Sequence, residues 1–598
     1  MNSDAATIPG RPADWSDRSY YLAMRDGVRL AVSLYFPGRM VPKTPAPVLL
    51  IQTRYGRAGA RKANHPRSIG PWLDAGYVAA VVDVRGSTAS FGARTAELGP
   101  EEQRDMDEII AHVAGEPWSN GKVIATGVSY TANTADIATT RPSPALVAAL
   151  PRQTDFDFWE LFWPGGIFNR TMFVDWMSGI FEIDFGRPRT RMGALVVPSE
   201  TGLDGRASPA DCLKMFPVLQ PVDDDPDATQ LNHALRGREQ LHPHWTIADY
   251  DEVRFRDDVA RNGSSFFAAC TGSLMEAVRR ERKPVQYWGS WIDCNTAEGA
   301  LNRWRSAPEV PGVVIITANT HVGDERADPF LPDVAQPMPT IDEQNRLHLA
   351  FAAEVLGGAL PERMIRYYVL GAGIMRETQT WPPDGVETIC FALAARRRLE
   401  FTTPESTSRD SYDVDPEASS GVQNRWCWIS RPRYPDRREA DARLLTYDSA
   451  PMEKDMELAG WPVATLRLAT QSDDPQVFLY LEDVAPDGRV TYLTEGMIRA
   501  VNRRLADAAS LPYDPGPAPH SYRRADVLPV VPGEPFTLSL KLFATAALIR
   551  EGHRLRLAIA GADRDTFAPA VTRDRFDLYL GGEDPSRIEV PLRPWRAP

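Results

Sequence analysis

Ser129 stands two residues past a glycine, at the end of an apolar run, in Lys122-Val-Ile-Ala-Thr-Gly-Val-Ser-Tyr-Thr-Ala132. A β-type run, a glycine, a serine and then small helix-compatible residues describe a sharp strand-to-helix turn. Such a turn lifts one hydroxyl above the edge of a sheet. A serine so placed attacks carbonyl carbon if a base takes its proton and donors hold the oxyanion. Gly127 leaves room for the turn, but the strict pattern has a second glycine where this chain has Thr131. A G-x-S triplet is also an ordinary turn, so its partners decide its meaning.

In hydrolases built on this turn the partners follow in the order serine, acid, histidine. Nine histidines are available. His65 and His112 precede Ser129. His233, His242 and His244 fall in a segment of different composition, and His348 falls in a helix-like stretch. His520 and His553 lie in a β-rich tail. His321 remains, in Ala-Asn-Thr-His-Val-Gly just past the strand-like run Gly312–Thr317. Reactive groups of α/β sheets gather at strand C-terminal ends, which is where it stands. The plain alternative is a loop histidine bonded to backbone. Asp293, in Gly-Ser-Trp-Ile-Asp-Cys-Asn past the run Pro284–Gly289, is the acid in the right order. Its plain alternative is a helix N-cap. Nothing in the sequence marks the adjacent Cys294 as an activated thiol.

These residues need a sheet to carry them. Strand-like runs at Val48–Thr53, Tyr77–Val84, Lys122–Thr126 and Ala145–Leu150 alternate with helical spacing at Glu101–Ala114, whose apolar face is Met106, Ile109, Ile110 and Val113. Strand, helix, strand in this order predicts a parallel sheet with crossover helices. Between the two halves of that pattern the chain turns aromatic and then helical, for example over Ala228–Gln240 and Ser264–Arg282. This reads as a helical cap over the active end of the sheet. Its aromatics Trp159, Phe162, Trp163, Phe173 and Trp176 are either the cap's own core or, for a few of them, the walls of an acyl pocket. From about residue 365 alternating runs such as Val463–Leu468, Gln476–Leu481, Val490–Thr494 and Arg554–Ile559 predict an all-β sandwich or jelly roll. Residues 402–445, rich in charge, Pro and Ser, read as a long surface loop.

With 598 residues the chain exceeds one hydrophobic core. Acidic residues outnumber basic ones 80 to 67, which argues against a nucleic-acid partner. No secretory signal and no membrane-length apolar run is visible. Cys212, Cys270, Cys294, Cys390 and Cys427 are scattered without metal-ligand spacing, as reduced thiols of a cytoplasmic protein would be. No metal and no cofactor is implied, and Asp223–Asp225 reads as a solvated loop.

Gly127-Val-Ser-Tyr130, Asp293 in its Trp-Ile-Asp loop and His321 together resemble the cocaine esterase and X-Pro dipeptidyl-peptidase (peptidase S15) family. Met24–Ala31, Asp83-Val-Arg-Gly86 with Ser90-Phe-Gly92, Pro117–Val123, Tyr368–Gly371 and Asp483–Arg489 are similar to further family segments. The resemblance implies an α/β-hydrolase domain over 1–150 and 281–360, a helical cap at 151–280 and a C-terminal jelly roll at 361–598. It also implies an oxyanion hole from the Tyr55 hydroxyl and the Tyr130 amide. The chain departs from the family at Ala132, Thr88 and Met375. It has Asn295 and Thr296 where amino-ester hydrolases carry carboxylates for a substrate ammonium. The expected activity is hydrolysis of a small-molecule carboxylic ester, or of an amide, by a Ser129–His321–Asp293 triad. An X-Pro dipeptidyl-peptidase, an acyltransferase and a non-catalytic binding protein are the alternatives.

Overall fold

The computed structural model describes residues 16–57, 60, 68–94, 96–185, 220–241, 250, 252–261, 263–427, 430–568 and 574–597. His65, His242, His244 and Cys212 lie outside the described residues.

Among the described residues the first sheet has ten strands: β1 (Arg18–Ala23), β2 (Arg29–Tyr35), β3 (Ala46–Thr53), β4 (Val78–Asp83), β5 (Ser119–Val128), β6 (Leu146–Arg152), β7 (Val285–Ser290), β8 (Gly312–Thr317), β9 (Met364–Val369) and β10 (Ile374–Thr378). Their spatial order is β1-β2-β4-β3-β5-β6-β7-β8-β9-β10. Strands from β4 through β9 run parallel to their neighbours, and β1, β2 and β10 close the edges antiparallel. Every residue of β4 and β7 is buried, as expected where helices cover both faces of a parallel sheet.

The crossover helix Pro100–Gly115 turns Met106, Ile109, Ile110 and Val113 into the core, the face its spacing predicts. Proline opens it and Glu101 and Glu102 occupy its first turn, where the helix dipole favours negative charge. The helix expected over Ser264–Arg282 is shorter. Only Met275–Glu281 is α-helical, after a 3-10 turn at Thr271–Leu274. The Gly272 amide is engaged by the Phe156 carbonyl at 2.9 Å, which anchors that stretch to the chain beyond β6 instead of to its own helix.

Among the described residues, thirteen further strands between Glu387 and Pro594 form the all-β domain, almost wholly antiparallel. The first sheet claims more chain than the boundary at 361 assigns to it, because β9 and β10 complete its far edge. Alternation in Met364–Val369 identifies a strand but not the sheet it joins. Beyond β9, Leu370 ties the two sheets together: its amide donates to Ala546 O at 2.8 Å and its carbonyl accepts from Leu548 N at 2.9 Å. Residues 402–445 are not simply a surface loop. They hold the strand Ser408–Asp413 and carry Asn424 and Arg425 to 1% exposure. Asp223–Asp225 is likewise tied down. Asp223 accepts from Ser19 N and Oγ at 2.9 and 2.6 Å, and Asp225 accepts the Gln230 and Leu231 amides at 2.9 Å each.

No described helix is long and apolar enough to cross a membrane.

Candidate active site

β5 ends at Val128 and a helix begins at Tyr130. Between them Ser129 has φ 61° and ψ −132°, a region nearly closed to residues with a side chain. The turn is held from several directions. Ser129 N donates to Arg152 O on β6 at 3.1 Å, and Ser129 O accepts the Ala132 and Asn133 amides at 2.7 and 2.9 Å. Thr131, where the strict pattern has glycine, staples the turn with its hydroxyl. That oxygen accepts from Val128 N and donates to Val128 O, both at 2.7 Å. A Cβ on Gly127 would run into the Thr131 backbone and hydroxyl, so the first glycine is obligatory.

Asp293 follows β7 and His321 follows β8. Strand order therefore lines up Ser129, Asp293 and His321 along the C-terminal rim, one strand separating the first two. His321 Nδ1 lies 3.0 Å from each Asp293 carboxylate oxygen, and the two residues are 6% and 2% exposed. A buried carboxylate on Nδ1 holds the proton there and leaves Nε2 as the basic nitrogen. Thr296, in place of a family carboxylate, donates to Asp293 O at 2.9 Å and approaches Oδ2 at 3.4 Å. Asn295 begins the next helix. Burial pushes the Cys294 thiol well above its usual range, which disfavours the reactive thiolate.

Tyr55 follows β3, the neighbour of β5. Its ring meets Tyr130 edge-on at 6.0 Å between centroids, and Trp176 Nε1 donates to its hydroxyl at 3.4 Å. The Tyr130 phenol points into a buried ionic network. Arg94 Nη2 donates to it at 2.8 Å and it donates in turn to Glu102. Glu97 pairs with both Arg94 and Arg54, and Arg54 Nη2 reaches Asp184 Oδ2 of the cap at 2.7 Å. Arg238, also in the cap, donates to the carbonyls of Asp184, Thr88 and Ser90. Thr88, a frequent family glycine, has φ 41°. The cap is thus ion-paired to the residue beside Tyr55.

Four of the five aromatics considered for the pocket form one cluster, in which Trp176 lies 5.5 Å from Phe162. Phe162, Trp163 and Phe173 pack on one another and on Phe266, within the cap. Trp159 lies against Tyr522 of the all-β domain at 5.1 Å. Trp176 alone among them has a hydrogen bond to Tyr55.

Three residues escaped the sequence reading. Arg425 Nε donates to Cys294 O at 2.7 Å while Cys294 N donates to Arg425 O at 2.8 Å, so the all-β domain grips the turn that carries Asp293. Arg431 Nε donates to Arg326 O at 2.6 Å, on the return of the His321 loop. Composition hid both, because charge in a Pro- and Ser-rich stretch suggests surface. Asp155, just past β6, leaves the sheet between the strands that precede Ser129 and Asp293. The rule that selected Asp293, a carboxylate past a strand end, would have found it too.

The sequence pattern of the X-Pro dipeptidyl-peptidase (S15 family) matches residues 26–323, and that of the X-Pro dipeptidyl-peptidase C-terminal non-catalytic domain matches 358–589. A Mycobacterium tuberculosis protein named as a serine esterase is 31% identical over 96% of this chain and 95% of its own. The cocaine esterase of a Rhodococcus species is 24% identical over 95% of this chain and 97% of its own. The crystal structure of a CocE/NonD family hydrolase from Staphylococcus aureus superposes with a TM-score of 0.68 at 18% identity, covering 96% of this chain and 93% of that one. The α/β sheet with its strained serine turn, the buried histidine–aspartate pair and the appended β domain therefore belong to a member of the cocaine esterase and X-Pro dipeptidyl-peptidase (S15) family of α/β-hydrolases.

Proposed function

We propose that this protein hydrolyses carboxylic esters through an acyl-enzyme on Ser129. Ser129 Oγ attacks the ester carbonyl while His321 Nε2 takes its proton. Asp293 fixes the imidazole tautomer and offsets the charge that the ring acquires. The Tyr55 hydroxyl and the Tyr130 amide donate to the oxyanion. His321 then protonates the leaving alcohol, and a water activated by the same imidazole releases the acid.

The observation that carries this reading is the double 3.0 Å approach of Asp293 to His321 Nδ1, on the strand-end rim where Ser129 is held at φ 61°. Trp176, bonded to Tyr55, marks the side on which an acyl group would lie. Asn295 and Thr296 supply no carboxylate for a substrate ammonium, which favours an uncharged acyl group over the free amino terminus of an X-Pro peptide.

A fluorophosphonate probe tests the nucleophile. Wild-type protein is labelled and Ser129→Ala is not; equal labelling of the variant removes Ser129 from the chemistry. A panel of p-nitrophenyl esters and matched anilides, an X-Pro anilide among them, then sets the substrate class. Faster turnover of the X-Pro anilide than of every ester would make the protein a peptidase.

A further inference from the structure

Asp293 and His321 meet from two separate turns. In the first, the Asp293 amide reaches Ser290 O at 3.5 Å, a long bond, and the next residue, Cys294, has φ 43°. A residue with a side chain in that left-handed region is held there by its surroundings. In the second, the chain closes on itself around His321. Thr320 N donates to Glu325 O at 2.8 Å and Ala327 N to Ala318 O at 2.7 Å, with Asn319 opposite Arg326.

Both turns are gripped from the all-β domain by two arginines of one short segment. Arg425 engages both backbone polar atoms of Cys294: its Nε donates to Cys294 O at 2.7 Å, and its carbonyl accepts Cys294 N at 2.8 Å. Arg431 donates from Nε to Arg326 O at 2.6 Å and from Nη2 to Pro332 O and Val334 O at 2.8 and 3.1 Å. The segment is tied together by Arg433 N, which donates to Gln423 O at 2.7 Å, and by Arg425 N, which donates to the Tyr434 hydroxyl at 2.7 Å. It is rooted in its own domain. Asn424 Nδ2 donates to Thr566 Oγ1 at 2.7 Å, and Trp426 Nε1 to Glu495 Oε1 at 2.6 Å.

Arg425 is 1% exposed. Its guanidinium also reaches the Tyr492 hydroxyl at 3.4 Å and lies 4.4 Å from the Phe543 ring centre, and among the described residues no carboxylate is ion-paired to it. A buried cation without an ion pair is a burden on stability. Such local violations gather where function needs them. What this one secures is the residue next to the acid.

We propose that Arg425 and Arg431 are positioning residues, through which the all-β domain sets the distance and angle between Asp293 and His321. This rests on the Ser129–His321–Asp293 reading. Both arginines act on backbone carbonyls of the two turns and leave the reacting atoms to the triad. The 3.0 Å contacts of His321 Nδ1 with the Asp293 carboxylate have little slack. A displacement of about 1 Å at such a site costs roughly 10² in rate.

Arg425→Met removes the donors and keeps an apolar stem against Phe543. Arg431→Ala removes the second grip at a half-buried position and remains informative if the first variant does not fold. With a p-nitrophenyl ester, kcat should fall about 10- to 100-fold in Arg425→Met and about three- to tenfold in Arg431→Ala, with KM within about twofold. The decisive measurement repeats both substitutions in Asp293→Asn. There the imidazole has already lost its orienting carboxylate, so each arginine loss should shrink to less than about twofold. A merely structural role would leave those losses undiminished. Undiminished losses in Asp293→Asn, or wild-type kcat in either folded arginine variant, overturn the proposal. Wild-type kcat in Asp293→Asn itself would instead defeat the triad, so the two failures are distinguishable.

Discussion

Removing one oxygen from Tyr55 separates catalysis from folding. Tyr55→Phe deletes the proposed oxyanion donor and keeps the ring, so the edge-on contact with Tyr130 at 6.0 Å survives. The hydroxyl accepts from the Trp176 indole N–H at 3.4 Å, the long end of a hydrogen bond. Its loss costs about 0.5–1 kcal/mol of stability. In a chain of 598 residues that moves the melting temperature by no more than about 2 °C. The catalytic loss is far larger. One oxyanion donor is worth roughly 10²–10³ in kcat, about 2.7–4 kcal/mol. The donor meets a charge that exists only in the transition state, so KM for a p-nitrophenyl ester should change less than about twofold. Steady-state kinetics beside a thermal melt reads both quantities. Wild-type kcat in Tyr55→Phe would remove the phenol from the oxyanion hole. A loss confined to KM would mean that Tyr55 only binds substrate.

Two further outcomes follow from buried groups away from the chemistry. Glu298, 3% exposed in the helix after Asp293, accepts Trp461 Nε1 at 2.7 Å and Lys541 Nζ at 2.8 Å across the domain boundary. Glu298→Ala strands those donors and should cost about 3–5 kcal/mol in chemical denaturation, while an unchanged midpoint would show that the interface does not need it. Burial, and then Arg152, hold the His348 imidazole well below its ordinary value of 6.5, with Gln286 Oε1 at 2.6 Å from Nδ1. Its folded pKa is depressed, so below pH 6.5 the unfolded chain binds a proton that the folded one refuses. Stability should therefore fall with acid by about 1.4 kcal/mol per pH unit from this group, and His348→Gln should flatten that slope; an unaltered slope in a folded variant contradicts the assignment.

Much of the sheet was legible because a buried parallel strand is a local property. Gly312–Thr317 is a strand with the bounds its apolar run suggests, and β3 through β7 match their runs to within a few residues. The elbow was legible for the same reason: Gly127, Ser129 and the small residues after it act within one turn. The Ser264–Arg282 helix was overestimated because periodicity does not register that the Gly272 amide is bound to Phe156.

The sequence alone placed a serine, an aspartate and a histidine in that order, each past an apolar run, and these with the segments around them pointed to the family. Only the folded chain decided what those residues face. Arg425 reads as a surface charge until a carbonyl from another domain and the Phe543 ring at 4.4 Å surround it. Strand type is set by neighbours a residue or two away. Electrostatic environment is set by groups more than a hundred positions apart, and no short stretch of sequence encodes it.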